Sequence, residues 1–165
     1  MNMPALSARL YFSLVAVIGL GLVGFGLVLQ FRDGLEPCPL CILQRYAFVA
    51  MALFSAAAAL IGHIWTRRIL ASLGLVSAAV GAGMAAWHVK LQLFPPEFSA
   101  CGPGLAYLLT ELPLGRALPR IFQGGGDCTE VAWRFLGLSI PAWALIWFVL
   151  LGIALLLGLR KTRSR

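Results

Sequence analysis

Four long apolar stretches, parted by short polar ones, set the pattern of this chain. Leu10 to Leu29 carries no charge, and Tyr46 to Trp65 carries none unless His63 is protonated. Ile69 to Val89 is apolar except for Ser72, Ser77 and His88, and Ile140 to Leu159 is apolar throughout. A hydrocarbon layer about 30 Å thick is crossed by about 20 residues of helix. A helix also satisfies its own backbone where no water reaches. The pattern therefore predicts an all-α membrane protein, a four-transmembrane-helix bundle with spans at about 10–29, 41–65, 69–89 and 139–159. Outer loops are expected at about 30–40 and 90–138. The first stretch is read as a retained span, since Gln30-Phe31-Arg32-Asp33 is no small-residue cleavage site.

Composition agrees. Of 165 residues, 61% are hydrophobic and 12% charged, against about half and a quarter in soluble domains. A net charge of +7 suggests nucleic acid in a soluble protein, but here its placement reads as topology. With four spans both termini share one side. That side holds Arg9, Arg67, Arg68, Arg160, Lys161, Arg163 and Arg165 in short segments without an acid. The other side holds six basic residues and all six acids. The positive-inside rule puts both termini in the cytoplasm. The four cysteines then lie at the outer side, which in a bacterium is the periplasm of the inner membrane, where disulfides persist.

Three features of the spans bear on function. Gly19-x-Gly21-x-x-Gly24 matches a dinucleotide fingerprint, but it lies inside an apolar 20-mer rather than after a strand. Small residues there are expected to let a neighbouring helix approach. His63 sits at the inner end of the second stretch and is read as interfacial. Trp133, Trp143 and Trp147 are expected as anchors around the outer half of the fourth helix.

The chemistry centres on Pro37-Cys38-Pro39-Leu40-Cys41-Ile42-Leu43-Gln44-Arg45. Proline is tolerated in a first helical turn, so the second helix is expected to begin near Pro39 or Leu40. Cys41 then lies at a helix N-terminus, with Arg45 one turn on. Both favour a thiolate, the reactive form of cysteine, and the expectation is an anion at Cys41. A static disulfide or half a zinc site are the alternatives. Zinc needs a second close pair, whereas Cys101 and Cys128 are far apart in sequence, and no metal is expected. Cys101 and Cys128 are expected to pair across the long outer loop, as a staple or as an exchange pair, with Gly124-Gly125-Gly126 as a hinge. Residues 112–122 suggest a surface helix, which Pro119 opposes. His88 ends the third span at the depth of Cys41 and Arg45. The three are expected to line a pocket for a lipid-soluble small molecule.

Four spans, Cys38-x-x-Cys41 with Arg45, His88 and a Cys101…Cys128 loop together resemble the DsbB family of disulfide-forming quinone reductases. The resemblance covers nearly the whole chain. It departs at Gln44, where many of the family carry an acid. It implies an oxidoreductase that reoxidises a DsbA-like periplasmic dithiol protein, passing electrons through Cys101/Cys128 and Cys38/Cys41 to a membrane quinone. The quinone is expected to be ubiquinone, or menaquinone outside aerobic growth, held by Arg45 near His88. The competing class is a four-span structural or assembly protein with static disulfides.

Overall fold

The structure is a computed structural model, and it describes residues 8–35, 37–95, 128–131 and 133–163. Four helices dominate: α1 (Ala8–Asp33), α2 (Pro39–Leu60), α3 (Ile64–Leu93) and α4 (Ile140–Arg163). All four are long and apolar enough to cross a membrane. Ahead of α4 stands a small antiparallel hairpin, β1 (Arg134–Phe135) and β2 (Leu138–Ser139). Cys101, the triple glycine and residues 112–122 lie outside the described residues.

Helix ends follow local chemistry. Gly34, at φ +64°, takes the left-handed conformation that stops α1. Pro39 stands in the first turn of α2, where its missing N–H costs nothing. The inner turn between α2 and α3 is Ile61 to His63, earlier in the chain than the predicted spans place it. Trp65 therefore belongs to α3, not α2. Arg67 fixes this turn by donating from Nε and an Nη to the Ile61 carbonyl, at 3.1 and 2.7 Å. His63 is the residue before α3 and is exposed there.

The helices form a ring. α1 packs on α2, α2 on α3, α3 on α4, and α4 returns to α1. The interior is apolar, with Phe12, Met51 and Leu155 fully buried. The exterior is apolar too: Val17 is 70% exposed and Leu60 84%. A helix apolar on both faces suits lipid, not water.

On α3 the buried face is set apart by its small residues. The buried face of α3 runs Ala71, Gly74, Ala78, Gly81, Ala85, then His88 and Leu91. The steps of three and four keep this seam of small residues on one side. Facing positions on α2 include Gln44, Phe48, Met51, Ser55 and Ala58. Small residues let backbones approach closely where lipid supplies no hydrophobic drive to associate. At Gly81 a Cβ would lie 2.3 Å from the Phe148 ring, which itself stacks on Phe48 at 3.7 Å between centroids. Of the three glycines in the rejected fingerprint, only Gly19 makes such an approach, with a Cβ there meeting Ala52 at 3.3 Å. Gly21 and Gly24 face open space.

The hairpin was not foreseen. Its turn residues Leu136 and Gly137 both have positive φ, 51° and 81°, the pairing that matches strand twist in two-residue hairpins. Trp143 Nε1 donates to the Phe135 carbonyl at 3.1 Å and ties the hairpin to α4. Trp133 is thereby corrected from its expected place: it precedes the hairpin, stacking on Phe135 and meeting Phe25 of α1 edge-on.

Candidate functional site

The outer end of the α2–α3 seam turns polar. Cys38 is the N-cap of α2, and its Sγ accepts from the Cys41 N–H at 3.4 Å. Sulfur thus fills the role usually taken by Ser, Asp or Asn, satisfying one of the helix's orphan donors. Three residues on, one turn of helix brings Cys41 Sγ to 3.2 Å from Cys38 Sγ. Both are free thiols. His88 is buried, with its Nε2 3.7 Å from Cys38 Sγ. Its Nδ1 is 3.2 Å from the amide nitrogen of Gln44, which is also buried. Gln44 and His88 are the outermost polar steps of two facing seams, so the packing that joins the helices also joins these side chains.

Cys128 reaches the same place from the other side. It is fully buried and disulfide-bonded. Its Sγ, Cys38 Sγ and a His88 ring nitrogen all lie within 4.8 Å of one another. This trio has the composition of a metal site, but a sulfur engaged in a disulfide offers no thiolate ligand. The segment after Cys128 is held to α3 by Gln92, whose amide donates to the Glu130 carbonyl at 3.4 Å and accepts from Ser139 Oγ at 2.7 Å.

The sequence pattern predicts the sulfur anion at Cys41. In the reduced pair the hydrogen bonds converge on Cys38 instead. Cys38 lies just outside the α2 span, and its ionisation is lowered to about 5. The Cys41 side chain is the main cause; burial opposes it, and a hydrogen bond from His88 lowers it further. Arg45 is half-buried and turned toward α1, donating to Gln30 Oε1 and, at 3.2 Å, to the Gly26 carbonyl.

Beside the thiols lies a cavity of about 1000 Å³ between α1, α2, α4 and the hairpin. Its wall is largely apolar, with Phe25, Trp133, Phe135, Trp143 and Trp147 among the lining residues. Cys38, Cys41, Arg45 and His88 all border it, as do Gln30 and Gln44. Large apolar pockets with a few convergent polar groups hold lipophilic small molecules.

The comparisons with known proteins agree with this geometry. Residues 8–158 match the family model for DsbB, disulfide bond formation protein. The chain belongs to the DsbB family. It is 46% identical to the disulfide bond formation protein B of Aromatoleum aromaticum, over 97% of each chain. It is 46% identical to that of an Azoarcus species, over 84% of this chain and 86% of the relative. For the Cupriavidus necator protein the identity is 42%, over 93% of each. The chain is accordingly a disulfide-generating oxidoreductase embedded in a membrane by several spans.

Of the six residues singled out from sequence, the structure gathers five around one cavity end: Cys38, Cys41, Arg45, His88 and Cys128. Cys101 lies outside the described residues. Gln30, Gln44 and Gln92 escaped notice as site residues. An uncharged polar residue within an apolar run was the available signal, and Gln44 sits on the seam that counts back from Ser55, Met51 and Phe48.

Proposed function

We propose that this chain is a quinone-dependent protein-thiol oxidase of a bacterial inner membrane, its site facing the periplasm. It reoxidises a DsbA-like dithiol protein and delivers the electrons to a membrane quinone, ubiquinone or menaquinone. The observation that carries this is the meeting of Cys128 Sγ with Cys38 Sγ and His88 within 4.8 Å, beside the apolar cavity that Arg45 borders.

The exchange balances as follows. One thiolate of the partner attacks Cys101 of a Cys101–Cys128 disulfide, and Cys128 leaves as thiolate. The partner's second thiolate displaces Cys101, so the partner leaves oxidised. Cys128 attacks Cys38 of the Cys38–Cys41 disulfide, and Cys41 leaves. Cys101 then attacks Cys128, and Cys38 leaves as thiolate. Two electrons now reside on Cys38 and Cys41, the state in which Cys38 and Cys41 are free and Cys128 is bonded. A good leaving sulfur is one that ionises readily, as Cys38 does here.

The cavity's apolar wall and its few polar groups fit a lipid-soluble quinone. Arg45, held by Gln30 and the Gly26 carbonyl, presents fixed donors to a quinone oxygen. When bound, the quinone supplies an acceptor for two electrons and two protons.

The test is turnover of a reduced DsbA-like protein with a soluble quinone by the purified chain in micelles. Turnover is expected in the parent protein, with a loss of more than about a thousandfold in Cys41→Ser, since no Cys38–Cys41 disulfide can then form to accept the attack of Cys128. Full activity in that variant overturns the scheme. A bundle braced by static disulfides would keep its thiols in one state whether or not quinone is supplied.

A further inference from the structure

Gln44 has no part in the sulfur exchange written above, yet its amide is buried against His88. An amide NH₂ group only donates, so the ring nitrogen facing it, Nδ1, must accept. A neutral imidazole with an unprotonated Nδ1 carries its proton on Nε2. Nε2 is the atom directed at Cys38 Sγ, 3.7 Å away. We propose that Gln44 is a positioning residue that fixes the His88 tautomer, so that a neutral Nε2–H donates to the Cys38 sulfur as it leaves Cys128.

The inference rests on the reading of Cys38 as the leaving sulfur in that exchange. When Cys101 attacks Cys128, the Cys101–Cys128 bond forms and the Cys38–Cys128 bond breaks. The electron pair of the broken bond stays on Cys38. The Nε2–H of His88 meets that charge together with the Cys41 backbone N–H, 3.4 Å away. His88 keeps its proton throughout, and the product is a thiolate beside a neutral ring. A carboxylate at position 44 would do the opposite. It only accepts, so it would draw a proton to Nδ1. In a neutral ring that turns the Nε2 lone pair, rather than an N–H, toward Cys38. The choice between amide and carboxylate at one buried position therefore sets which ring nitrogen of His88 carries the proton.

Both side chains are positioned by packing rather than by loops. Gln44 and His88 lie on the buried faces of α2 and α3 at the end of facing seams. Second partners of this kind set which nitrogen of a histidine carries the proton.

The experiment uses full-length protein in micelles, reduced at Cys38 and Cys41, with ¹⁵N-labelled histidine. The chain has two histidines, and His63→Asn, a good helix cap, leaves His88 as the single signal. The expected spectrum is a protonated Nε2 and an unprotonated Nδ1. Gln44→Glu is expected to protonate Nδ1, and Gln44→Met, similar in shape but without a donor, to leave a mixture of tautomers. Unchanged helicity and an intact Cys128 disulfide report folding in each variant. A doubly protonated ring in the parent, an Nδ1–H tautomer there, or the same tautomer in all three proteins overturns the proposal. None of these readouts needs quinone or partner, so failure of the quinone reading leaves them interpretable, and their failure leaves quinone turnover to be judged separately.

Discussion

The α2–α3 seam carries two kinds of buried polar group, and they are satisfied in different ways. Midway along it, Ser55 is fully buried and its Oγ donates to the Met51 carbonyl of its own helix at 2.6 Å. At the outer end, Gln44 and His88 satisfy each other across two helices. A hydroxyl that bonds within its own turn tells the neighbouring helix nothing. A pair that bonds between helices exists only when the helices are packed in register. The first is tolerance of a polar atom in an apolar place; the second is a means of setting geometry. Unsatisfied polar groups in a bilayer interior cost several kcal/mol, so the same rule governs both ends and only the second end turns it to chemistry.

The largest expected effect sharpens the outer end. The Cys41 side chain lowers the ionisation of Cys38 to about 5. Its alkylation in the reduced protein should therefore persist at pH 6. There it should exceed that of a free cysteine, with its pKa near 8.5, by about three hundredfold in thiolate content. Linkage has the corresponding sign. The depressed value stabilises the reduced fold fully above the unfolded pKa, and that stabilisation is lost as pH falls toward 5. An alkylation profile centred where ordinary thiols titrate would refute the convergence of hydrogen bonds on Cys38.

Gly81→Ala breaks the middle instead. Its Cβ would meet the Phe148 ring at 2.3 Å, and Phe148 cannot swing away without unstacking from Phe48. Overpacking of this kind costs about 1–3 kcal/mol. Unfolding in mixed micelles should show that loss, while the rate of Cys38 alkylation in the folded protein stays the same. A change in thiol reactivity with unchanged stability would mean the two ends of the seam are not separable.

Arg45→Ala lies between the two regions. The guanidinium is fixed on α1 by Gln30 and the Gly26 carbonyl while bordering the cavity. Its removal should raise the apparent KM for quinone about tenfold, the worth of one hydrogen bond from a charged donor. Folding should change less, because Gln30 Oε1 and the carbonyl keep acceptor sites that cavity water reaches. An unchanged KM would remove the arginine from quinone binding.

Much of this was legible beforehand, and the limits are physical. Four spans follow from apolar length alone, because a bilayer fixes how long a helix must be. The seam of α3 was open to view as Ala71, Gly74, Ala78, Gly81 and Ala85 at helical steps. The dithiol at a helix start followed from Pro39. The sulfur that became the anion did not follow, since capping by Cys38 depends on a β-region backbone at that residue (ψ 164°), and on His88, 50 positions away. The hairpin was hidden because its turn places Leu136 at positive φ, where Asn or Gly is the usual signal. The meeting of Cys128 with Cys38 is long-range and leaves no local pattern at all.

Ser55→Ala gives the smallest effect and isolates the comparison best. The lost hydrogen bond goes to a carbonyl of Ser55's own helix, and that carbonyl remains within the backbone ladder of α2. Side-chain bonds between helices in bilayers are worth about 0.6 kcal/mol on average, and a bond that stays within one turn is expected to contribute no more than that to micelle unfolding. Gly74 faces the hydroxyl, with a Cβ there lying 3.4 Å from Ser55 Oγ, and a methyl fills most of the same space. Turnover and Cys38 alkylation should match the parent. A tenfold fall in either would show that a polar group bonded within its own turn still reaches the outer end, and the distinction between local and cross-helix satisfaction would no longer separate packing from chemistry in this bundle.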